Sequence, residues 1–428
     1  MDSYPLEPPT PGPEPLDHLY GSYVSATCLT HFYKTLAAVV PGFDEGRCVT
    51  RPMDENISQP RVVEVVFEVS PNGGSIAAAS AAAGIADGSL DMIVDSPTGT
   101  MSMDAMMSMP ASMSSQSRTS TAATAKSAPT QSSMTSNSAS SSPPPAPPSL
   151  NDIRRDELIS RFEQEWDVEI IFQSSSVFRT HKRLAVFDMD STLIQQEVVD
   201  EVARVAGVMP AVATITSRAM NGELDFETSL RERCRLLKGV GSDVWKKLQG
   251  SGSDSDGAIT LTTGAADLVR CLKRLGYKTA VLSGGFMPMA TWLAEKLSLD
   301  YAFANNLEIK PSTDSNGLEN TIDNTSSKNS SATTLTGEVQ GPIVDAAQKA
   351  KLVQTLASKE GISLAQTLVV GDGANDLPMM GIAGLGVAFN AKSRVQLEAP
   401  ARLNSESLMD VLYLLGFGAA EQRELLDA

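Results

Sequence analysis

Four short apolar runs constrain this chain more than anything else in it, because three of them close on polar residues of unusual type. They are RLAVFDMD (183–190), YKTAVLSGG (277–285), TLVVGDGAND (367–376) and GLGVAF (384–389). Runs this short and continuous fit strands that are buried on both faces of a parallel sheet. Helical stretches such as GAADLVRCLKRLG and DAAQKAKLVQTLASKEG lie between them. Strand and helix in alternation predict an α/β, doubly wound parallel sheet over about 180–420.

The remainder of the 428 residues is uneven. Residues 1–16 are proline-rich and expected to be disordered. Residues 20–72 and 150–175 predict one small α+β domain. RVVEVVFEV (61–69) and VEIIFQ (168–173) read as strands, YVSATCLTHFYKTLAAVV mixes a strand-like start with a helical apolar pattern, and LNDIRRDELISRFEQEW reads as helical. Between them, 73–149 is dominated by Ser, Ala, Met and Thr and reads as a disordered low-complexity insertion. A second polar interruption is expected at about 312–336. With 34 basic and 51 acidic residues the formal charge is −17, which argues against nucleic acid as a partner. No apolar run reaches the ~18 residues of a membrane span, and the acidic, proline-rich start is unlike a targeting peptide. Cys28, Cys48, Cys234 and Cys271 form no CxxC pair, so a cytoplasmic protein without a disulfide framework is expected.

Ligands in such sheets sit at the carboxyl ends of the strands. The first run ends Asp188-Met189-Asp190, two acids that can lean over one crevice, as Mg²⁺ ligands or as a nucleophile and an acid/base. The same pair could equally be a solvated turn capping the next helix. Ser283-Gly284-Gly285 offers a hydroxyl and backbone N–H groups suited to a phosphate oxygen, or simply a tight βα turn. Asp372, Asn375 and Asp376 add oxygen ligands at the end of the third run. Lys349 precedes that strand on a helix, with Lys351 as a rival for any role.

Together the endings DxDST, SGG and GDGAND resemble the haloacid dehalogenase superfamily of aspartate-nucleophile phosphatases. Within it, FDMDSTLIQQEVVDEVA, GELDFETSLRERCRLLKG, VLSGGF, LDYAFANNLEI and GDGANDLPM resemble the phosphoserine phosphatase family. The resemblance covers roughly 180–400, outside the polar insert. It implies a Rossmann-like sheet with a helical C1 cap at about 197–262. It implies Asp188 as nucleophile, Asp190 as acid/base, and one Mg²⁺ held by Asp188, the Asp190 carbonyl and Asp372, with Asp376 supporting. Ser283, Gly284 and Lys349 would bind phosphoryl oxygens, and Asn375 would orient them. Glu197, Phe226 and Arg233 would meet the ammonium, body and carboxylate of O-phospho-L-serine. Phe226, Leu230 and Arg233 have the i, i+4, i+7 spacing of one helix face. The N-terminal pieces resemble an ACT-like module, which implies L-serine as a feedback ligand and a homodimer.

Overall fold

The computed structural model describes residues 23–69, 77–85, 148–250, 258–311 and 333–428, with backbone alone for 68–69 and 77–85. The expected disordered start lies outside the described residues. So does most of the low-complexity insertion.

The N-terminal module is an antiparallel sheet of four strands in the order β1-β2-β3-β4. The strands are β1 (Val49–Pro52), β2 (Val62–Val69), β3 (Ala77–Ile85) and β4 (Val168–Ser174). Helices α1 (Ala26–Val39) and α2 (Glu157–Trp166) meet through Phe32 and Phe162, whose ring centroids are 5.5 Å apart. Ser25 caps α1 by accepting from the Cys28 N–H at 3.0 Å, and Asp156 caps α2 through Leu158. Among the described residues Tyr23–Ser25 do not form the strand-like start read there.

The position of β3 corrects the insertion boundary at 73. AAASAAAGI contains almost no β-branched residue, so it carries no strand signal. Its backbone nevertheless pairs with β2 on one side and β4 on the other.

The second sheet has seven strands in the order β11-β10-β9-β5-β6-β7-β8. They are β5 (Leu184–Phe187), β6 (Lys278–Phe286), β7 (Tyr301–Pro311), β8 (Thr333–Gln340), β9 (Thr367–Gly371), β10 (Leu385–Phe389) and β11 (Ala401–Leu403). All neighbours are parallel except β7 and β8. This is the doubly wound sheet that the apolar runs predicted. The alternation along β5 shows why. Ala185 and Phe187 enter one apolar cluster, Leu184 and Val186 the other, and all four are fully buried. A strand covered on both faces has no position for a polar residue until it ends.

β8 also corrects an expectation, since the polar insert was read to 336. From Thr333 the sequence TTLTGEVQ places Leu335 and Val339 in the core on alternate residues. The Ser/Asn run before it hides where that period starts.

Between β5 and β6 the chain builds helices α3 (Val198–Val205), α4 (Met209–Met220) and α5 (Phe226–Leu236), then a short helix at Val244–Leu248. Asp225 caps α5, accepting from the Thr228 N–H at 2.7 Å. Helix α6 (Ala346–Lys359) precedes β9.

Candidate active site

The chain runs from β5 through β6 and β7 to β8 on one side of the sheet, then returns to β9 on the other side of β5. The carboxyl end of β5 is therefore the switch point, where a crevice opens between segments leaving in opposite directions. Asp188 is the first residue past β5. Its N–H donates to the Val370 carbonyl of β9 at 2.9 Å. Its Oδ1 accepts from the Met189 N–H at 2.7 Å.

Lys349 reaches this point from the first turn of α6, whose start is fixed by Asp345 accepting from the Gln348 N–H at 2.8 Å. The fully buried Lys349 Nζ stands 2.9 Å from Asp188 Oδ1 and 2.7 Å from Asp376 Oδ1. Asp376 Oδ2 accepts from the Gly373 N–H at 3.1 Å. A Cβ on Gly371 would stand 2.5 Å from that same oxygen, so glycine is what lets the carboxylate lie against the strand end. Lys351, the rival lysine, is exposed.

Asp188, Asp372 and Asp376 each bring a carboxylate oxygen within 4.8 Å of the others. Asp190 follows on a turn in which Ser191 takes a left-handed φ of 55°, an uncommon geometry for a non-glycine residue. The buried Asp190 Oδ1 has no hydrogen-bond partner. Ser191 Oγ donates to Glu197 Oε1 at 2.9 Å, which ties the start of α3 to the turn after β5.

The electrostatics follow from this crowding. Burial, and then the Asp376 charge, push the Asp188 carboxyl well above its ordinary range, against the pull of Lys349. Burial and then Glu197 do the same to Asp190. Burial, then Asp376 and Glu197, push Asp372 up to about 7. Burial opposes the charge on Lys349, but Asp188 and Asp376 outweigh it and hold the ammonium above its usual range. One lysine thus faces four strand-end acids. Hard oxygen donors with surplus negative charge, one buried oxygen of them unbonded, fit a divalent cation such as Mg²⁺.

Ser283 is fully buried at the end of β6, its Oγ accepting from the Gly285 N–H at 2.8 Å. A Cβ on Gly285 would meet Asp190 Oδ2 at 3.1 Å, so this turn lies beside the acid pair. A Cβ on Gly284 would meet Phe226 Cζ at 3.0 Å, so the Phe226 ring of α5 lies over the same turn. Asn375 is half-buried in the turn that follows β9. Arg233 is not drawn into the cluster of acids. Its Nε donates to Ser229 O at 3.3 Å, and its charge is felt by Asp200 on α3.

Asn305 was not singled out from the sequence. It is buried in β7, its Nδ2 donating to the Gly284 carbonyl and its Oδ1 accepting from the Val344 N–H, both at 2.8 Å. One amide thus pins the SGG turn to the segment that leads into α6 and Lys349. The only available signal was the Asn-Asn pair inside a strand, where Asn is disfavoured.

A strand-end aspartate beside a buried lysine and two further acids defines a hydrolase class, and the comparisons agree. A family model described as haloacid dehalogenase-like hydrolase matches residues 182–384. A probable phosphoserine phosphatase of Schizosaccharomyces pombe is 46% identical over 254 residues, 59% of this chain and 76% of the relative. A phosphoserine phosphatase of Archaeoglobus fulgidus is 42% identical over 267 residues, 62% of this chain and 70% of the relative. A solved HAD family hydrolase of Salmonella enterica serovar Typhi has a TM-score of 0.50 at 29% identity, covering 61% of this chain and 82% of its own. The chain belongs to the phosphoserine phosphatase family of the haloacid dehalogenase-like hydrolases.

Proposed function

We propose that the protein hydrolyses O-phospho-L-serine to L-serine and phosphate, the closing step of L-serine biosynthesis. The observation that carries this reading is the fully buried Lys349 ammonium between Asp188 and Asp376 at the switch point. Asp188 Oδ attacks phosphorus and forms an aspartyl-phosphate as the phosphorus–serine oxygen bond breaks. Asp190, whose raised pKa keeps a proton available, protonates the departing serine oxygen. The same carboxylate then takes a proton from the water that attacks phosphorus, which releases phosphate and regenerates Asp188. Lys349, Ser283 and the Gly284 N–H hold the phosphoryl oxygens, and Asn375 orients them. Asp188, the Asp190 carbonyl and Asp372, with Asp376 in support, would hold one Mg²⁺, which would supply charge neutralisation.

Phosphate release measured with Mg²⁺ and with EDTA tests the activity. The cap tests the substrate. Arg233→Ala should slow phosphoserine hydrolysis about 10- to 150-fold in kcat/KM, the loss of one charge-assisted carboxylate contact. It should affect p-nitrophenyl phosphate much less, and Glu197→Gln should show the same selectivity. Equal slowing of both esters by Arg233→Ala would remove the carboxylate role.

The N-terminal module is read as ACT-like, with L-serine as feedback ligand in a cytoplasmic homodimer. Two helices packed beside a four-stranded antiparallel sheet support this, and no helix among the described residues is long and apolar enough to cross a membrane. Calorimetric titration with L-serine and sedimentation of the full chain test it.

A further inference from the structure

A cavity of about 460 Å³ lies at the end of the catalytic sheet opposite Asp188. Its walls include Lys182 just ahead of β5, Ala365 just ahead of β9, and Gly384 at the entry to β10. The facing wall comes from the N-terminal module, with Arg154 and Gln173, and from Arg179 in the connection. The volume suits a metabolite-sized ligand.

The charge of the lining is what singles the cavity out. Three cations line it and no acid does, in a chain of formal charge −17. Arg179 has Glu64 as a counter-ion at 3.0 Å. Lys182 and Arg154 have no ion pair among the described residues. Lys182 is 5% exposed, and its Nζ donates to Ala365 O at 2.8 Å, one of the three bonds an ammonium offers. The Arg154 guanidinium donates to the carbonyls of Leu397, Ala399 and Pro400, which carry no net charge. A Cβ on Gly384 would clash with the Ala365 carbonyl and stand 2.7 Å from Lys182 Nζ, so only glycine lets this strand entry lie against both. Burial, and then Arg179, lower the Lys182 pKa to about 8. A buried charge in that state is stabilised by an anionic partner.

We propose that this cavity is a second ligand site, which takes a small metabolite through a phosphate or carboxylate group held by Lys182 and Arg154. The chemistry common to both groups is an oxyanion that accepts charge-assisted hydrogen bonds. The site joins the N-terminal module to the amino ends of the strands whose carboxyl ends carry the acids. A ligand there contacts both parts of the molecule without entering the active site.

The test is calorimetric titration of the full chain with Mg²⁺, using inorganic phosphate in one arm and succinate in the other. The wild type should bind two equivalents of phosphate, one at each site, and one of succinate. The double variant Arg154→Met/Lys182→Met should bind one of phosphate and none of succinate, with kcat/KM for phosphate release unchanged. The probe that binds more tightly identifies the group recognised. Uptake of a single phosphate and no succinate by the wild type overturns the proposal, as does a double variant that binds like the wild type. If the variant does not fold, crystals of the wild type soaked in selenate decide. Anomalous density between Lys182 Nζ and Arg154 supports the site, and density beside Lys349 alone overturns it.

Discussion

A buried ammonium 2.9 Å from one carboxylate and 2.7 Å from another is costly unless both partners stay in place, because removing one leaves an uncompensated charge. At the residue scale this makes Asp188 and Asp376 unequal to ordinary surface acids. Asp188→Asn retains the shape and one acceptor for Lys349 but removes the proposed nucleophile. Steady-state phosphate release should fall by roughly 10⁴-fold or more while the circular dichroism spectrum is kept. Substantial residual turnover, with deamidation excluded by mass spectrometry, would refute the assignment. The acids also set a pH signature. With no cation bound, burial and then the Asp376 and Glu197 charges push Asp372 up to about 7, against about 3.9 for an unfolded aspartate. Between those values the native state binds more protons than the unfolded one, so this group's contribution to stability falls as pH rises. A divalent cation relieves the same repulsion and competes with the same protons. The gain in Tm from Mg²⁺ over EDTA should therefore be larger at pH 7.5 than at pH 5.5. An equal gain at both would argue against these carboxylates as the metal site.

At the scale of elements, the site is where four separate segments end. β5 delivers Asp188, β6 delivers Ser283, α6 delivers Lys349, and the turn after β9 delivers Asp372 and Asp376. No single element holds the geometry, so the contacts between their ends matter. Asn305 is one of them, bonded at once to Gly284 O and Val344 N. Asn305→Ala leaves two buried backbone groups unsatisfied, at a cost of about 2–4 kcal/mol. Denaturant titration should read that loss. Kinetics should show a fall in kcat with p-nitrophenyl phosphate as well as with phosphoserine, because the SGG turn serves both. A loss confined to phosphoserine would mean that Asn305 acts on the cap and not on the turn.

At the scale of the whole molecule, the N-terminal sheet is fastened to the catalytic half by buried polar contacts. Glu64 on β2 holds Arg51 of β1 at 2.7 Å and Arg179 of the connection at 3.0 Å, and Arg51 in turn donates to Gly416 O at 3.0 Å. Glu169 on β4 accepts from the Asn404 backbone and side chain at 3.0 and 2.9 Å. Gln173 donates to Leu414 O at 3.1 Å. Burial pushes the Glu64 carboxyl up, with Arg179 and Arg51 opposing. Glu64→Ala should destabilise the protein by about 3–5 kcal/mol, since it leaves buried cationic charge behind. Its denaturation midpoint should fall, and kcat/KM at a temperature where it remains folded should be unaltered. A midpoint like that of wild type would show that the ion pairs carry no net weight.

The central parallel strands and the polar residues at their ends were legible in the sequence because both are local. An apolar run such as LAVF followed by DMD needs no distant residue to be read, since burial on both faces fixes its composition. β3 escaped because AAASAAAGI takes its place from β2 and β4, and β8 because its alternation begins inside a polar tract. Lys349 and Lys351 look alike on one helix. Only the packing of α6 against the strand ends buries the first and exposes the second. The cationic cavity could not be read at all, because Arg154, Lys182 and Gly384 are far apart in the chain and meet only where one sheet rests on the other. The sequence by itself determined the apolar strands at the centre of the second sheet and the residue types at their ends. The tertiary structure alone decided which charges face each other, because a charge's partners depend on folded distance and burial and not on separation along the chain.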